Sequence, residues 1–447
     1  MRRGAVTKLP VDPGPAGWNS VLEPRPEHTT LDRDATADWV VIGAGYAGLA
    51  VARRLAQLCP TDRIMVLEAR RVAEGPAGRN SGFMIDLPHD LASSDYGGSV
   101  AQDAILTEDN RHAISFASEM AAEYGMGTDI FCPSGKINAA ATQKGDAHNR
   151  TYAAHLKALN EPHRFLDAKE MAQITGTSYY QSGLFTPGTV MIQPAAFVRR
   201  VADGLRSNRV HIHENSPVTA LEKVSQGWQV TTPKAKISTP SVILAVNGHL
   251  NSFGYKNGRL MHVFTYASMT RPLTNEENTA LGGDEVWGLT PADPMGTTVR
   301  KIASPQGTRI VIRNRFTFDP SLEVSDARVA RIGRDHDRAF RSRFPMLREV
   351  SMQYRWGGRL CLSRNNVNVV EELEPGLFAA CCQNGLGTTR GTLGGILAAE
   401  LATGTASARL DRALSVSEPS KLPPQPVASL GAAAILKWQE MKAGREL

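Results

Sequence analysis

Three glycines and one carboxylate near the start of the chain have the types and spacing of a nucleotide-binding site. In "VVIGAGYAGLAVARRLAQL", which begins at Val40, a buried-strand pattern leads to Gly43, Gly45 and Gly48 and then to helical periodicity. Glycines so placed permit a tight turn, close approach of a pyrophosphate to the backbone, and close helix packing. Glu68 follows the next apolar strand, about 20 residues further on, where a carboxylate accepts hydrogen bonds from ribose hydroxyls. We therefore expect a bound dinucleotide; the alternative is a glycine-rich turn without a ligand.

A second strand, glycine-rich turn and helix occurs in "GLFAACCQNGLGTTRGTLGG" near the end of the chain. Its turn offers backbone and hydroxyl donors at a helix N-terminus, where partial positive charge stabilises an anion: Gly385, Leu386, Gly387, Thr388 and Thr389. Such a site suits the ring edge of a reduced flavin, whereas a nicotinamide dinucleotide needs no second turn. The alternative is threonine capping of an ordinary packing helix.

The loop "PAGRNSGF", Pro76 to Phe83, follows the strand that carries Glu68. Small residues at Gly78, Ser81 and Gly82 allow a backbone to pass beside a planar ligand, and Arg79 can neutralise a pyrophosphate. The alternative is a flexible loop without a ligand. Its position nevertheless predicts that it runs along the cofactor.

Periodicity beyond these motifs predicts an alternation of helices and short strands. Helical patterns cover 107–125, 144–160, 195–207 and 324–344. "DIFCPSGKINAAAT" predicts a hairpin that turns at Pro133 to Gly135, and "HIHENSPVTALEKV", "GWQVTTP" and "PSVILAVNGH" predict three strands of an antiparallel insertion that returns to a parallel sheet.

The composition is that of an ordinary globular protein, with 447 residues, 42% hydrophobic residues and 21% charged residues. This length predicts two domains. The longest apolar runs fall short of a membrane span, and the basic residues behind the net charge of +6 are scattered, so we expect neither a membrane span nor nucleic-acid binding. The five cysteines show no metal-ligand spacing, so we expect no metal site and a reducing, cytoplasmic location.

Together, "DWVVIGAGYAGLAVARRLA", "LEARRVAEGPAGRNSGF", "VILAVNGH", "TRPL", "RWGGRLCLSRNNVNVV" and "LFAACCQNGLGTTRGTLGG" resemble, in this order, the FAD-dependent glycine/D-amino-acid oxidase superfamily, and most of all its γ-glutamylputrescine oxidase branch. The resemblance spans about 37–401. Ser81 stands where branch members usually carry glycine, and the C-terminal turn differs from theirs, so the substrate need not be γ-glutamylputrescine.

This resemblance implies an α/β fold: a Rossmann-like FAD-binding domain and a discontinuous α+β substrate domain on a mixed antiparallel sheet. The expected division is an N-terminal extended arm at 1–36, the FAD-binding domain at 37–90, 190–257 and 355–410, the substrate domain at 91–189 and 258–354, and a C-terminal tail at 411–447.

The resemblance also implies noncovalent FAD, because Cys361 is offset from the position where some members attach the flavin. Gly43, Gly45, Tyr46, Ala47 and Gly48 would hold the pyrophosphate, and Glu68, Ala69, Arg70 and Val218 the adenosine. Arg79 would neutralise the pyrophosphate, Asn80, Ser81, Gly82 and Phe83 would lie along the flavin, and Gly385 to Thr389 would meet the pyrimidine edge. Asn247 and Gly248 would also contact the cofactor.

The implied reaction is oxidation of the C–N bond of an amine or amino acid by hydride transfer to flavin, followed by imine hydrolysis. Reoxidation by O2, with formation of H2O2, or by another electron acceptor would complete it. Candidate substrate-side groups are Tyr266, Arg313, Arg315, Trp356 and Arg359. Strand alternation would place Arg313 and Arg315 on one face, either as a carboxylate clamp or as a solvated sheet face. A flavin amine dehydrogenase, a NAD(P)-dependent dehydrogenase and a tRNA-modifying flavoprotein remain alternatives, and the oligomeric state is open.

Overall fold

The fold was obtained as a computed structural model that describes residues 4–26, 29–88 and 98–447. The helices of this part are α1 (Gly17–Ser20), α2 (Tyr46–Leu58), α3 (Val100–Glu123), α4 (Gln143–Ala158), α5 (Ala168–Thr175), α6 (Pro194–Leu205), α7 (Asn275–Leu281), α8 (Asp326–Arg343), α9 (Thr389–Thr403), α10 (Ala408–Ser415) and α11 (Val427–Ala443). Short 3-10 turns lie at Pro76–Gly78, Asn247–Phe253, Pro345–Leu347 and Gly444–Glu446.

The strands of the same residues are β1 (Ala35–Thr36), β2 (Trp39–Ile42), β3 (Ile64–Leu67), β4 (Phe83–Met84), β5 (Phe131–Cys132), β6 (Lys136–Ala140), β7 (Arg164–Asp167), β8 (Ser182–Thr186), β9 (Val190–Ile192), β10 (Val210–His213), β11 (Ala220–Val224), β12 (Gly227–Thr231), β13 (Lys236–Thr239), β14 (Ser241–Leu244), β15 (Leu260–Thr270), β16 (Trp287–Pro291), β17 (Thr298–Ile302), β18 (Arg309–Phe318), β19 (Met352–Ser363), β20 (Val369–Glu374) and β21 (Leu377–Cys381).

A six-stranded sheet carries the predicted nucleotide-binding unit. Its order is β10-β3-β2-β14-β21-β20, and all neighbours are parallel except β20 and β21. β2, β3 and β14 are almost entirely buried, as expected for strands covered on both faces. An antiparallel insertion is present, but its strands are β11, β12 and β13, joined by β1. The first predicted segment contains two strands, β10 in the parallel sheet and β11 in the insertion, and the prediction did not include β13. β14 returns to the parallel sheet, as predicted.

An eight-stranded mixed sheet forms the second layer, in the order β19-β15-β18-β17-β16-β6-β8-β7. Its neighbours are antiparallel except for the pair β16 and β6. A Rossmann-like unit beside a mixed, mostly antiparallel sheet confirms the expected fold class. The expected domain boundary at 354/355 falls within β19, and the boundary at 90/91 lies outside the described residues.

The hairpin predicted at 129–142 is wrong. β5 and β6 are both strands, but β5 pairs with β9 in a small sheet that also contains β4, whereas β6 pairs with β8 and β16. The turn at Pro133–Gly135 therefore passes the chain from one sheet to another. Partners distant in sequence outcompete the local pairing because each strand buries its apolar side chains in a different layer.

The other long elements lie close to their predicted positions. α8 begins one residue after Ser325, whose side chain accepts a hydrogen bond from the backbone N–H of Arg328. α3 begins seven residues before its predicted start, because Ser99 caps it there in the same way. Within the residues that the structure describes, no helix combines the length and apolarity needed to cross a bilayer.

Candidate active site

A cavity of about 270 Å³ lies at the carboxyl ends of the parallel strands. One end is bounded by the segments that follow β2 and β3, and the other end is bounded by side chains of the eight-stranded sheet. This edge is where open α/β sheets bind ligands. The predicted residues that line it are Gly43, Gly45, Tyr46, Ala47, Glu68, Ala69, Arg70, Arg79, Asn80, Ser81, Phe83, Val218, Asn247, Gly248, Arg313, Arg359, Gly385, Leu386, Gly387 and Thr388. Six other predicted residues are absent from this lining: Gly48, Gly82, Tyr266, Arg315, Trp356 and Thr389.

The first glycine-rich turn leaves space for a ligand at the N-terminus of α2. Gly43 has a backbone φ of +104°, a value that residues with a side chain rarely adopt. A methyl group at Gly48 would lie 1.8 Å from the carbonyl oxygen of Gly43, so this glycine serves helix packing. A methyl group at Gly45 would meet only the Ala77 methyl, at 3.6 Å, and would otherwise extend into open space. The unpaired N–H groups of a helix N-terminus then face a site with room for phosphate.

Glu68 lies directly beneath this turn. One carboxylate oxygen accepts the backbone N–H of Ala44 at 2.9 Å, and the other accepts that of Arg70 at 3.1 Å. Burial, together with the weaker effect of the negative charges of Asp12 and Glu214, raises the pKa of Glu68 to about 7. Each oxygen can accept a second hydrogen bond, so the group can bind a pair of hydroxyls.

The loop after β3 is held against both the N-terminal segment and the start of α2. Arg79 donates to the carbonyl oxygens of Pro13 at 2.9 Å, Gly14 at 3.0 Å and Glu74 at 2.6 Å. Its guanidinium therefore organises backbone segments, although the residue borders the cavity. Asn80 donates to the hydroxyl of Tyr46 at 3.3 Å and accepts the backbone N–H of Gly82.

The second glycine-rich turn closes the cavity opposite the first. Thr388 donates from its hydroxyl to the carbonyl oxygen of Phe83 at 2.6 Å, which joins this turn to the loop after β3. Asn247 accepts the backbone N–H of Cys382 at 3.0 Å, which joins it to the end of β14. Gly387 has no atom within 4 Å of where a methyl group would lie. Three predicted cofactor segments thus meet around one space.

Gly82 and Thr389 serve the packing around that space. A methyl group at Gly82 would lie 2.1 Å from the guanidinium of Arg300, which is buried beneath the loop and donates to the Gly82 carbonyl oxygen at 3.0 Å. Thr389 begins α9 and is fully buried. Neither residue is among those that border the cavity.

Tyr266 and Trp356 are fully buried in packing positions. Tyr266 lies beside Thr265, so strand alternation turns it to the opposite face, where it packs against Val329 of α8 and hydrogen-bonds Thr317 at 2.6 Å. Trp356 donates from its indole to the carbonyl oxygen of Arg79 at 3.0 Å. Both residues stabilise elements that border the cavity, and the structure does not bring either one to its wall.

Strand alternation predicts that Arg313 and Arg315 lie on one face of β18, but a β-bulge between them breaks this alternation. Opposite Thr265 and Tyr266 the register of β18 jumps from Phe316 to Asn314, so Arg315 has no partner on β15, and its φ is +60°. Arg315 instead forms ion pairs with Asp335 of α8 at 3.1 Å and Glu440 of α11 at 2.8 Å. Arg313 remains on the cavity wall, with its guanidinium 4.7 Å from the centre of the Phe316 ring.

Arg359 borders the cavity but is engaged on both sides. It forms an ion pair with Asp12 at 2.9 Å, and its other terminal nitrogen lies 2.8 Å from Nε2 of His249. Burial and, more weakly, the charge of Arg359 lower the pKa of His249 to about 3, so the imidazole is neutral. This cluster joins the N-terminal segment to β19.

Sequence reasoning missed the threonines at the far end of the cavity: Thr265, Thr290 and Thr298. The hydroxyl of Thr265 is buried and has no hydrogen-bond partner among the described residues. The hydroxyl of Thr290 donates to the side-chain oxygen of Asn138 at 2.6 Å, and the ammonium of Lys136 lies 3.3 Å from it. Burial lowers the pKa of Lys136 to about 8. The available signal was a lysine and an asparagine, Lys136 and Asn138, within the short strand "KINAA".

These features fit a flavin dinucleotide. Gly45 and Gly387 leave open space at the N-termini of two helices, as diphosphate and an electron-accepting ring edge require. Glu68 offers acceptors for ribose hydroxyls, and the space continues past the second turn to a polar end at Arg313. Among the described residues there is no group of three or more histidine, cysteine, aspartate or glutamate side chains that could hold a metal.

Comparisons with known proteins agree with this geometry. The model of the family described as DAO, FAD dependent oxidoreductase, matches residues 38–401. The chain is 25% identical over 408 residues to the probable oxidoreductase OrdL of Rhizobium meliloti, covering 88% of this chain and 90% of that protein. It is also 25% identical over 387 residues to the gamma-glutamylputrescine oxidoreductase of Escherichia coli, covering 84% and 86%.

The fold is also found among solved structures. The crystal structure of glycine oxidase from Geobacillus kaustophilus superposes with a TM-score of 0.67 at 17% identity, covering 83% of this chain and 96% of that one. The match of the family model to residues 38–401 confirms the resemblance inferred from the motifs. The chain belongs to the DAO family of FAD-dependent oxidoreductases, and its cofactor is FAD.

Proposed function

We propose that this enzyme oxidises the C–N bond of an amine or amino acid that carries a carboxylate. The observation that carries the proposal is the far end of the cavity, where Arg313 stands among threonine side chains. An arginine is suited to hold a carboxylate through two parallel hydrogen bonds. The names of the relatives, a glycine oxidase and a gamma-glutamylputrescine oxidoreductase, support an amine or amino-acid substrate.

When bound, FAD supplies the two-electron acceptor that takes up the hydride from the carbon bearing the amine. The protein's part is to bind and orient the substrate. Arg313 holds the carboxylate, and the hydroxyls of Thr265 and Thr298 are available to the polar groups next to it. Hydrolysis of the released imine in water, and return of the two electrons from the flavin to O2, forming H2O2, or to another acceptor, would complete the reaction.

The cofactor's contacts are proposed from the residues that border the cavity. The segment from Gly43 to Ala47 binds the diphosphate at the start of α2, and Glu68 binds the ribose of the adenosine. Arg70 and Val218 lie on the adenine side. The loop from Asn80 to Phe83 and the turn from Gly385 to Thr388 enclose the flavin, with Asn247 and Gly248 beside them.

We propose that FAD is held without a covalent bond. Cys361 borders the cavity, but its hydrogen bond with Cys382 and its burial raise the pKa of its thiol well above the ordinary value. Thiolate, the reactive form, is therefore scarce. All five cysteines are free, which supports the proposed cytoplasmic location.

Anaerobic reduction of the purified holoenzyme tests the proposal. We expect carboxylate-bearing amines to bleach the flavin absorbance, and Arg313→Ala to weaken their binding by roughly 2 kcal/mol, about thirtyfold in Kd. Arg315→Ala is the matched control, since its guanidinium pairs with α8 and α11, and it should leave this Kd unchanged.

Each arm has an outcome that contradicts it. If Arg313→Ala binds these amines as the wild type does, the clamp is wrong. If no amine or amino acid bleaches the flavin, the reaction is wrong. Where an amine does bleach the flavin, air is admitted to the reduced enzyme to identify the electron acceptor, because H2O2 forms only if O2 receives the electrons.

A further inference from the structure

An N-terminal segment outside the region that matches the family model forms part of the cofactor cavity. The match begins at residue 38. The cavity wall nevertheless includes five residues of the preceding chain: Val6, Lys8, Leu9, Pro10 and Asp12. These residues border the same space as the first glycine-rich turn.

This segment is anchored on both sides of the cavity. On one side, the backbone N–H groups of Val6 and Thr7 each donate at 2.9 Å, to the carbonyl oxygens of Thr219 and Ser252 respectively. On the other side, Arg79 and the backbone N–H of Gly357 donate to the carbonyl oxygen of Pro13. The residues between these anchors, 8–12, therefore span the cavity from the side of Val218 to that of β19.

A buried ion pair lies at the inner end of the span. The side chains of Asp12 and Arg359 are 1% and 6% exposed and lie 2.9 Å apart. The second carboxylate oxygen of Asp12 is buried and has no hydrogen-bond partner among the described residues. A buried ion pair adds little net stability, and an unsatisfied buried oxygen is costly. The pair therefore points to a ligand that completes it.

We propose that residues 6–12 are a further cofactor-binding segment, a strap that covers bound FAD, and that Asp12 accepts a hydrogen bond from a hydroxyl of the cofactor. FAD carries such hydroxyls on its ribose and on its ribityl chain, whereas its phosphate oxygens are acceptors that a carboxylate repels. The ion pair with Arg359 holds the strap closed. The inference depends on FAD binding and is independent of the proposed substrate.

The test compares two full-length variants that carry the same kind of change. Asp12→Asn removes the charge at nearly constant shape, and Asp32→Asn makes the same change at an exposed residue that lies outside the strap and is not among the lining residues. FAD release from the holoenzyme is followed by the rise of flavin fluorescence after dilution. We expect Asp12→Asn to release FAD about tenfold faster than the wild type, and Asp32→Asn to release it at the wild-type rate. Equal rates for Asp12→Asn and the wild type would overturn the proposal.

A second test uses only the unmodified protein, so its result does not depend on whether the variant folds. Trypsin can cleave after Lys8, which lies within the strap, and a strap closed over FAD should resist cleavage. We expect saturation with FAD to slow this cleavage about tenfold relative to the FAD-free protein. Cleavage at the same rate in both states would show that the segment does not close over the cofactor.

Discussion

Replacement of Glu68 by glutamine should weaken FAD binding, and the size of the effect follows from the hydrogen bonds of its carboxylate. Both oxygens already accept backbone N–H groups, from Ala44 and Arg70, and each retains one site for a ribose hydroxyl. The amide NH2 of glutamine would oppose one of these backbone donors and offer no acceptor there. Loss of one charge-assisted hydrogen bond costs about 2 kcal/mol, so we expect FAD Kd to rise about thirtyfold at pH 8.

The pH dependence of FAD binding gives a second signature of Glu68. Its pKa in the FAD-free protein is raised to about 7, chiefly by burial, and the ionised form is the better acceptor for ribose hydroxyls. Binding then requires loss of a proton below pH 7. Affinity should be full above pH 7 and should fall as the pH decreases through it, so Kd at pH 6 is about tenfold higher than at pH 8. Glu68→Gln should abolish this dependence.

Titration of the deflavinated protein with FAD, followed by flavin fluorescence, measures both effects. Glu74→Gln is the matched control, because this carboxylate pairs with Arg70 at 3.5 Å but is not among the residues lining the cavity. Circular dichroism of the FAD-free variants checks that they fold. A Kd for Glu68→Gln equal to that of the wild type, with the same pH profile, would remove Glu68 from the cofactor site.

Two further predictions separate packing from binding. Gly48→Ala should lower the free energy of unfolding of the FAD-free protein by roughly 3 kcal/mol, because its methyl group would lie 1.8 Å from the Gly43 carbonyl oxygen. Gly45→Ala should leave this free energy unchanged and weaken FAD binding. Urea unfolding measures the stability of both variants, and titration with FAD measures their affinity. Tyr266→Phe should lower stability by about 1 kcal/mol through loss of the bond to Thr317 without altering substrate KM, and a changed KM would return Tyr266 to the candidate substrate site.

That the two glycine-rich turns and Glu68 border one cavity could largely be predicted from the sequence, because the determinants of each motif are local. The turn from Gly43 to Gly48 and the carboxylate of Glu68 belong to one strand, helix and strand unit, so their spacing along the chain sets their spacing in space. The second turn, from Gly385 to Thr388, is equally local. Its meeting with the loop after β3, through Thr388 and Phe83, could be expected only from the resemblance.

The half of the cavity that we propose binds substrate could not be predicted, because its geometry depends on distant contacts and on one irregularity in β18. The alternation of side chains along β18 is interrupted at Arg315, and the sequence "RIVIRNRFTF" does not predict a bulge there. On β15 the sequence pattern does not indicate which face meets the cavity, so it does not distinguish Tyr266, which is buried on the other face, from Thr265, which borders the cavity. The pair of Asp12 and Arg359 joins residues that no local rule connects.

The bulge on β18 and the alternation on β15 have a consequence for how such an enzyme diversifies. Thr265 and Arg313 face the ligand space, while Tyr266 and Arg315 hold the sheet to α8 and α11. In the proposed substrate site, mutations of Thr265 and Arg313 should change which molecule is accepted without disturbing the packing of the sheet against these helices. A directed-evolution library restricted to residues that border the cavity should retain a high fraction of folded members that bind FAD. The substrate range can therefore change during evolution while the fold is conserved.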